Sequence, residues 1–221
     1  MKEFAGRVAV ITGAGSGFGR AFAQAAAVRG MKLVLADLDA DALEAATDEL
    51  LADGAEVLAM VCDVGKCSHV EELADAAMIR FHGVHLLFNH AGDGVEGPSW
   101  TLRQAEWERM LGENLWGAIH GARIFTPLML DCARRESGYQ GHIVNSVRQA
   151  GQGALRVPGQ ALLALSENLR DELRLAAAPV AVSVLSLEEA PADTLMALAE
   201  RSFVAIGNGD FRIGQGSMQQ A

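Results

Sequence analysis

The stretch that decides the fold is Thr12-Gly13-Ala14-Gly15-Ser16-Gly17-Phe18-Gly19. It follows a short apolar run and leads into an alanine-rich apolar segment, so we expect a strand, a glycine-rich turn and a helix. Glycines let bare backbone approach a phosphate group, and the N-terminus of the helix directs unpaired N–H groups and its positive dipole end at a pyrophosphate. A glycine-rich turn by itself is a weak indication, because loops collect glycine for backbone reasons. Its place between a strand and a helix favours a dinucleotide site.

Short apolar runs alternate with amphipathic stretches along the rest of the chain, which is typical of βαβ units around a parallel sheet. Strands are predicted at residues 7–12, 32–36, 56–61, 85–89, 142–147, 180–185 and 211–213. Helices are predicted at residues 17–29, 40–52, 68–81, 103–135 with an interruption near Gly112, 160–177 and 193–206. The pattern predicts an α/β protein with a Rossmann-type, doubly wound parallel sheet of about seven strands in three α/β/α layers.

Two of these helices have side chains that can cap them. Asp39 is a predicted N-cap, and Ser68 with Glu71 three residues later forms a capping-box pattern. With 221 residues, half of them apolar, we expect a single domain over residues 1–221. Residues 207–221 are rich in Gly and Gln, and we expect a loosely ordered tail that contains only the last short strand.

The composition excludes several classes of partner. A net charge of −10, from 28 acidic and 18 basic residues, disfavours binding to nucleic acid or to an anionic membrane surface. No apolar signal core or membrane-length run is present, and three cysteines fit a reducing compartment, so a cytoplasmic location is expected. Cys62, Cys67 and His69 could be read as a zinc cluster, but ordinary packing is favoured and no metal site is predicted.

Asp37 closes the second predicted strand. A carboxylate there can accept both hydroxyls of an adenosine ribose and repels a 2′-phosphate. No Arg or Lys follows in Leu38-Asp39, and Ser16 in the glycine-rich turn is uncharged. The sequence therefore predicts NAD as the cofactor, with NADP disfavoured; the alternative is that Asp37 only caps its turn.

Three further motifs follow later elements: Asp63-Val64, Asn89-His90-Ala91-Gly92 and Asn114-Leu115-Trp116-Gly117. Together with the glycine-rich turn and Asp37, they resemble the short-chain dehydrogenase/reductase family, from about Gly6 to Val147 and again over residues 161–173. The resemblance implies a pyrophosphate on the glycine-rich turn, a ribose on Asp37, the adenine amino group on Asp63 and a second ribose near Asn89 and Gly92. The predicted cofactor-binding residues are Gly13, Ser16, Gly17, Phe18, Gly19, Asp37, Asp63, Val64, Asn89, Ala91 and Gly92.

The catalytic pattern of that family is largely missing. The family transfers a hydride with the help of a Tyr, a Lys, a Ser and an Asn, and the resemblance puts Arg148 at the Ser position. It puts Leu155 at the Tyr position and Gly159 at the Lys position, and only Asn114 keeps its residue type. Asn114 is therefore the one candidate catalytic residue, and its alternative reading is an amide that fixes a helix bend.

No other residue restores the pattern. Tyr139 is the only tyrosine and precedes the strand, and no lysine follows Lys66, so no alternative alignment recovers the pair. Ser146 lies two residues too early to replace the Ser. His90 lies beside the predicted cofactor and titrates near neutral pH when unperturbed, which makes it a candidate base. Three further histidines, His85, His120 and His142, are read as satisfied packing residues.

The segment after the sixth strand also departs from the family. It reads Leu185-Ser186-Leu187-Glu188-Glu189-Ala190, without the family's Pro-Gly turn and without its substrate-covering segment. Adjacent turns would bring Arg148 close to Glu188 or Glu189. One hypothesis is an ion pair that plugs the nicotinamide site, and the alternative is that all three are solvated turn residues.

Three functions fit these observations. The chain is read first as an NAD(H)-binding family homologue with weak or no catalysis. The second reading is an NAD-dependent oxidoreductase of a small alcohol or carbonyl that uses Arg148, His90 or Ser146. The third is an oligomerisation partner without a cofactor, and the family resemblance implies a homo-dimer or homo-tetramer through the helices at residues 103–135 and 160–177. The substrate is beyond the sequence.

Overall fold

The computed structural model describes residues 1–94, 97–148, 154–187 and 192–214. The strands within these residues are β1 (Val8–Thr12), β2 (Lys32–Asp37), β3 (Val57–Val61), β4 (Leu86–Asn89), β5 (Gly141–Arg148), β6 (Val180–Leu187) and β7 (Arg212–Ile213). The helices are α1 (Gly17–Val28), α2 (Ala40–Ala52), α3 (Cys67–Phe81), α4 (Gln104–Leu111), α5 (Gly117–Arg135), α6 (Arg156–Leu175) and α7 (Ala192–Asn208). In these residues, no helix combines the length and apolarity that a membrane crossing requires.

The strands form one parallel sheet in the order β3-β2-β1-β4-β5-β6-β7, which confirms the predicted Rossmann-type α/β fold. One face is covered by α1, α2 and α7, and Phe22 of α1 stacks between Phe88 of β4 and Phe203 of α7. The other face is covered mainly by α3, α5 and α6. The strand order reverses between β1 and β4, and ligands of open α/β sheets bind in the crevice at the carboxyl ends of such strands.

The N-termini of two helices differ from the sequence prediction. The Ser68 capping box is wrong: α3 already begins at Cys67, with Lys66 at the N-cap position and no side-chain cap, so Ser68 lies inside the first turn. Helix α6 begins at Arg156, four residues earlier than predicted, because Pro158 occupies the first turn, where a missing N–H costs nothing. The Asp39 N-cap is confirmed, since its side chain accepts a hydrogen bond from Ala42 N at 3.1 Å.

The long helix is interrupted where the sequence predicts it. Between α4 and α5 the chain forms a π-helical turn over Gly112–Trp116. At the end of the chain, α7 extends to Asn208, so residues 207 and 208, which we assigned to the tail, are helical. β7 pairs with β6, and residues 215–221 lie outside the described residues.

A buried amide network joins the centre of the sheet to α6. Asn89 Nδ2 donates to Asn145 Oδ1 at 2.8 Å, and Asn145 Nδ2 donates to Ser166 Oγ at 2.9 Å. Ser166 Oγ donates in turn to Leu162 O at 2.7 Å. Helix α5 passes directly over this network at Gly121, where a Cβ would overlap Asn89 Oδ1.

The three histidines read as packing residues are not all satisfied. His85 Nδ1 accepts from Val8 N at 3.1 Å and its Nε2 contacts Glu136, while His120 Nδ1 donates to Val64 O at 2.9 Å. His142 is fully buried, and its Nε2 lies 2.7 Å from Ser183 Oγ. Its Nδ1 has no hydrogen-bond partner among the described residues, so the prediction is wrong for this atom. Burial lowers the pKa of His142 to about 3.

Gly121→Ala is expected to destabilise the protein by about 1–3 kcal/mol, because the added methyl must displace an amide that is held by hydrogen bonds. Gly112→Ala is the matched control, since its Cβ meets nothing within 4 Å and its φ is not positive. Urea denaturation measures both. Equal midpoints for the two variants would contradict the proposed close contact.

His142 makes stability depend on pH below its unfolded-state pKa of about 6.5. Because the folded pKa is lower, the unfolded chain alone binds a proton as the pH falls, so stability is full above this value and lost below it. At pH 5 the loss from one such histidine is about 2 kcal/mol relative to pH 7. His142→Gln is expected to reduce the fall in the urea midpoint between these pH values. His82→Asn, at an exposed histidine with φ 63°, should leave the fall unchanged.

Candidate cofactor and active site

A cleft of about 1000 Å³ lies along the carboxyl ends of the strands. It is lined by the turns after β1 to β4, by Arg109 of α4 and Glu113 of the π-helical turn, by the ends of β5 and β6, by the N-cap residue of α6 and by Leu195 and Leu198 of α7. All predicted cofactor-binding residues line it except Gly19 and Asn89. The topology therefore brings together motifs that are far apart in the sequence, as the sheet prediction required.

Gly19 and Asn89 do not line the cleft but pack against residues that support it. A Cβ at Gly19 would collide with Gly13 O, so this glycine permits the close contact between α1 and the turn that follows β1. Asn89 is buried in the amide network of the sheet and borders only a small side pocket. Their direct contact with a cofactor stays a prediction, whereas their packing is visible in the structure.

The glycine-rich turn fits a phosphate group. Gly13 has φ +69° and Gly17 has φ +50°, values that L side chains rarely adopt, and a Cβ at Gly13 would lie 3.0 Å from Ala91 N. Helix α1 begins at Gly17 with no side-chain cap at Ser16 and no acidic residue in its first turn. Its first N–H groups are therefore left for an anion, which fits the pyrophosphate of a dinucleotide.

Thr12 ties this turn to the one after β4. Its hydroxyl donates to Phe88 O at 3.3 Å and accepts from His90 N at 3.0 Å and from Ala91 N at 3.2 Å. One side chain thus satisfies three backbone groups at the point where the strand order reverses. The contact fixes the two sides of the cleft relative to each other.

Asp37 both caps its turn and faces the cleft. Its Oδ2 accepts from Gly15 N at 2.8 Å and its Oδ1 accepts from Asp39 N at 3.1 Å. Each carboxylate oxygen has further acceptor capacity, so turn capping and ribose binding are compatible. Asp63 is held in a similar way, since Oδ1 accepts from Gly65 N at 3.0 Å and Oδ2 lies 3.1 Å from Lys66 Nζ.

The other end of the cleft contains the positions that the family resemblance aligns with catalytic residues. Arg148 ends β5, Leu155 is the N-cap residue of α6, and both line the cleft. Gly159 lies on α6, where a Cβ would be 3.4 Å from Arg148 O. Leu155 packs against Gly94, because a Cβ added at Gly94 would lie 2.9 Å from Leu155 Cδ2. An apolar side chain and a glycine thus stand where the family resemblance implies a phenol and an amine.

Arg148 lies within reach of one carboxylate in the described part of the chain. Its Nη2 is 3.9 Å from Asp93 Oδ1, at the limit of an ion pair. Glu188 and Glu189, the partners proposed for it from the sequence, lie outside the described residues. On the described side, Arg148 borders an open cleft.

Asn114 fixes the bend between α4 and α5. Its Nδ2 donates to Met110 O at 3.0 Å and to Asp93 O at 2.8 Å. Gly92, with φ +136°, allows this approach, because a Cβ there would lie 2.7 Å from Asn114 Cγ. The amide therefore anchors the turn after β4 to the π-helical turn, and this arrangement supports the structural reading of Asn114.

His90 and Ser146 form a pair that sequence reasoning missed. His90 Nδ1 lies 2.9 Å from Ser146 Oγ, and Ser146 Oγ donates to Asn89 O at 3.3 Å. Since a carbonyl only accepts, this arrangement makes Nδ1 the protonated nitrogen and leaves Nε2 as the acceptor. Burial and the nearby Arg148 guanidinium lower the pKa of His90 to about 4. The register of β4 against β5 could have predicted this contact, because pairing of Asn89 with Asn145 puts His90 and Ser146 side by side.

The three residues weighed as a zinc cluster have other contacts. Burial, together with the nearby carboxylates of Asp63 and Glu72, raises the pKa of the Cys62 thiol to about 11. His69 Nδ1 accepts from Asp63 N at 3.2 Å, and Cys67 Sγ accepts from Arg123 Nη2 at 2.8 Å. Among the described residues no group of three or more potential ligands is close enough to hold a metal ion.

Comparison with known proteins shows which family shares this architecture. The model of the family described as short chain dehydrogenase matches residues 7–201. A curated relative, the CLA biosynthesis dehydrogenase/reductase of Lactiplantibacillus plantarum, is 38% identical over 130 residues, which are 59% of this chain and 46% of that protein. The chain thus spans about half the length of this relative.

Solved structures extend the similarity over nearly the whole chain. A short chain dehydrogenase/reductase from Burkholderia phymatum, in complex with NAD, is 37% identical with a TM-score of 0.86, covering 97% of this chain and 90% of that one. A metagenomic short-chain oxidoreductase in complex with NADP is 26% identical with a TM-score of 0.80, covering 96% of both chains. With the matched family model and the glycine-rich cleft, these similarities show that the chain belongs to the short-chain dehydrogenase family.

Proposed function

We propose that this protein binds NAD(H) and has lost most or all turnover by the family's tyrosine–lysine chemistry. The observation that carries the proposal is the contrast between the two ends of one cleft. The adenosine end has the glycine-rich turn, Asp37 and Asp63, whereas Arg148, Leu155 and Gly159 stand at the proton-transfer positions.

The charges at the adenosine end support NAD over NADP. Three carboxylates line this part of the cleft, those of Asp37, Asp39 and Asp63. The described cations that line the cleft are Arg109 and Arg148, and both come from elements beyond β4. A 2′-phosphate near Asp37 would therefore meet like charge without a compensating cation.

A bound nicotinamide would supply or accept a hydride, and this chain's residues would hold the nucleotide. The amides at the start of α1 would hold the pyrophosphate, and Asp37 would accept hydrogen bonds from the ribose hydroxyls. Leu155 has no proton to give, and Gly159 has no cation to lower a neighbouring pKa. Loss of a general acid costs about 10²- to 10⁴-fold in rate, which supports weak or absent catalysis.

A second candidate is an oxidoreductase that uses His90. The imidazole lines the cleft and is oriented by Ser146, and the named relative is a dehydrogenase/reductase. The lowered pKa of His90, about 4, keeps it neutral at physiological pH, so it lacks the imidazolium proton of a general acid. This favours the first candidate. Carbonyl-dependent NADH oxidation that disappears in His90→Ala or Arg148→Ala would favour the second.

Wild-type protein is expected to bind NADH saturably, observed as energy transfer from tryptophan to the nicotinamide, with no turnover on a carbonyl panel. Asp37→Asn is expected to weaken NADH binding about tenfold or more, because hydrogen bonds to a charged acceptor contribute about 1.5–3 kcal/mol. Titration with NADH measures the affinity of the wild type and of the variant.

The matched control is Asp41→Asn. Asp41 is an exposed carboxylate in the first turn of α2 that does not line the cleft, so NADH affinity should be unchanged. Absence of NADH binding at millimolar concentration would overturn the proposal. Carbonyl-dependent NADH oxidation in the wild type would overturn its second half and leave nucleotide binding intact.

Assembly into a homo-dimer or homo-tetramer is a further part of this proposal. Large apolar side chains lie exposed on or next to the two long helices, namely Trp116, Val157 and Leu175. Burial of such side chains between subunits would remove apolar surface from water.

A further inference from the structure

We propose that Arg148 makes the far end of the cleft a subsite for a carboxylate or phosphate group. The inference rests on the proposed function, because it names the ligand chemistry of the same cleft. It concerns the position where the family resemblance implies a small hydroxyl and where this chain has a guanidinium.

The Arg148 guanidinium has N–H donors without a hydrogen-bond partner among the described residues. An arginine carries five N–H donors, and over the described residues the one interaction of Arg148 that reaches a carboxylate is the 3.9 Å approach to Asp93. That distance is too long for a hydrogen bond. The Asp93 side chain is 81% exposed and that of Arg148 is 45% exposed, so this pair is weak and screened by solvent.

The surroundings of Arg148 favour a ligand over water. Leu155 and Leu187 line the cleft beside it, with Leu195 and Leu198 of α7 on the same cleft. A ligand that fills the cleft would displace solvent from the guanidinium against these apolar walls, and an ion pair is stronger where water is excluded. The adjacent His90 is neutral, so it does not add a second positive charge next to the guanidinium.

The second arginine of the cleft differs from Arg148. Arg109 already pairs with Glu113 at 3.5 Å, and the Glu113 side chain is only 19% exposed. Glu113 also accepts from Asp93 N at 3.2 Å and is thereby held in place. Among the described residues, Arg148 is the one of these two cations that lacks a close carboxylate partner, and its planar fork matches carboxylate and phosphate oxygens.

The anion can come from two sources. It can belong to the nucleotide itself, as in nicotinic acid adenine dinucleotide, which has a carboxylate in place of the carboxamide of NAD. It can also belong to a separate small carboxylate that binds beside NAD. Both sources use the same contact, and calorimetric titration of the full chain distinguishes them.

In the first arm, NAD and nicotinic acid adenine dinucleotide are titrated separately. We expect the acid form to bind about tenfold more tightly, as a charge-assisted hydrogen bond would give. Arg148→Gln should reduce this ratio to about one. Arg156→Gln is the matched control, because Arg156 is exposed, carries the same charge at the start of α6 and does not line the cleft.

In the second arm, benzoate is titrated into protein saturated with NAD. Saturable binding that Arg148→Gln removes and Arg156→Gln retains would support the subsite with a separate ligand. Urea midpoints verify that both variants are folded. Equal affinity for the two dinucleotides together with no benzoate binding would overturn the inference, as would any preference that survives Arg148→Gln.

These outcomes separate the inference from the proposed function. Binding of NAD with no preference for the acid dinucleotide and no binding of benzoate overturns the subsite and leaves the proposed function standing. Binding of the acid dinucleotide without binding of NAD overturns the proposed function and leaves the subsite. If neither dinucleotide nor benzoate binds, both are overturned.

Discussion

Helix α1 meets the turn after β1 at a distance that only glycine allows. A methyl group at Gly19 would overlap Gly13 O, so the first turn of α1 lies directly against the end of the first strand. This contact points the helix N-terminus along the carboxyl edge of the sheet. The Thr12 hydroxyl then ties the same turn to the backbone after β4. The rest of the cleft depends on this junction, because β1 and β4 are the strands between which the topology reverses.

The two ends of the cleft are built on the same sheet but differ in chemistry. At the β1–β3 end, backbone amides and carboxylates are fixed by short hydrogen bonds, which suits a ligand rich in phosphate and hydroxyl groups. At the β5–β6 end, Arg148 and Leu155 stand at the positions that the family resemblance aligns with a catalytic Ser and Tyr. Asn114 spans the space between, and its amide anchors a loop and a helix bend. Different strands thus supply the residues at the two ends of the cleft.

Much of the fold followed from periodicity and local chemistry. The strands, their parallel arrangement, the interruption near Gly112 and the Asp39 cap were all predicted, because each depends on residues that are close in sequence. The start of α6 and the cap of α3 were not, since Pro158 fits a first turn as well as a loop and Lys66 has no capping side chain. The His90–Ser146 contact depends on the register of β4 against β5, which no local pattern specifies. His142 Nδ1 has no hydrogen-bond partner among the described residues, and this likewise depends on which groups the neighbouring strand and turn present to it.

The sequence by itself determined the fold class, the glycine-rich turn, the acidic end of β2 and the absence of a Tyr–Lys pair, because these are statements about residue type and spacing. Only the tertiary structure decided what the replaced residues do. It put Leu155 against Gly94 and neutral His90 beside Ser146. Among the described residues it also left the Arg148 guanidinium with no carboxylate nearer than Asp93, at 3.9 Å, on the wall of the cleft. The physical reason is that hydrogen bonding, burial and ion pairing depend on distances between strands and loops that the chain brings together only when it folds.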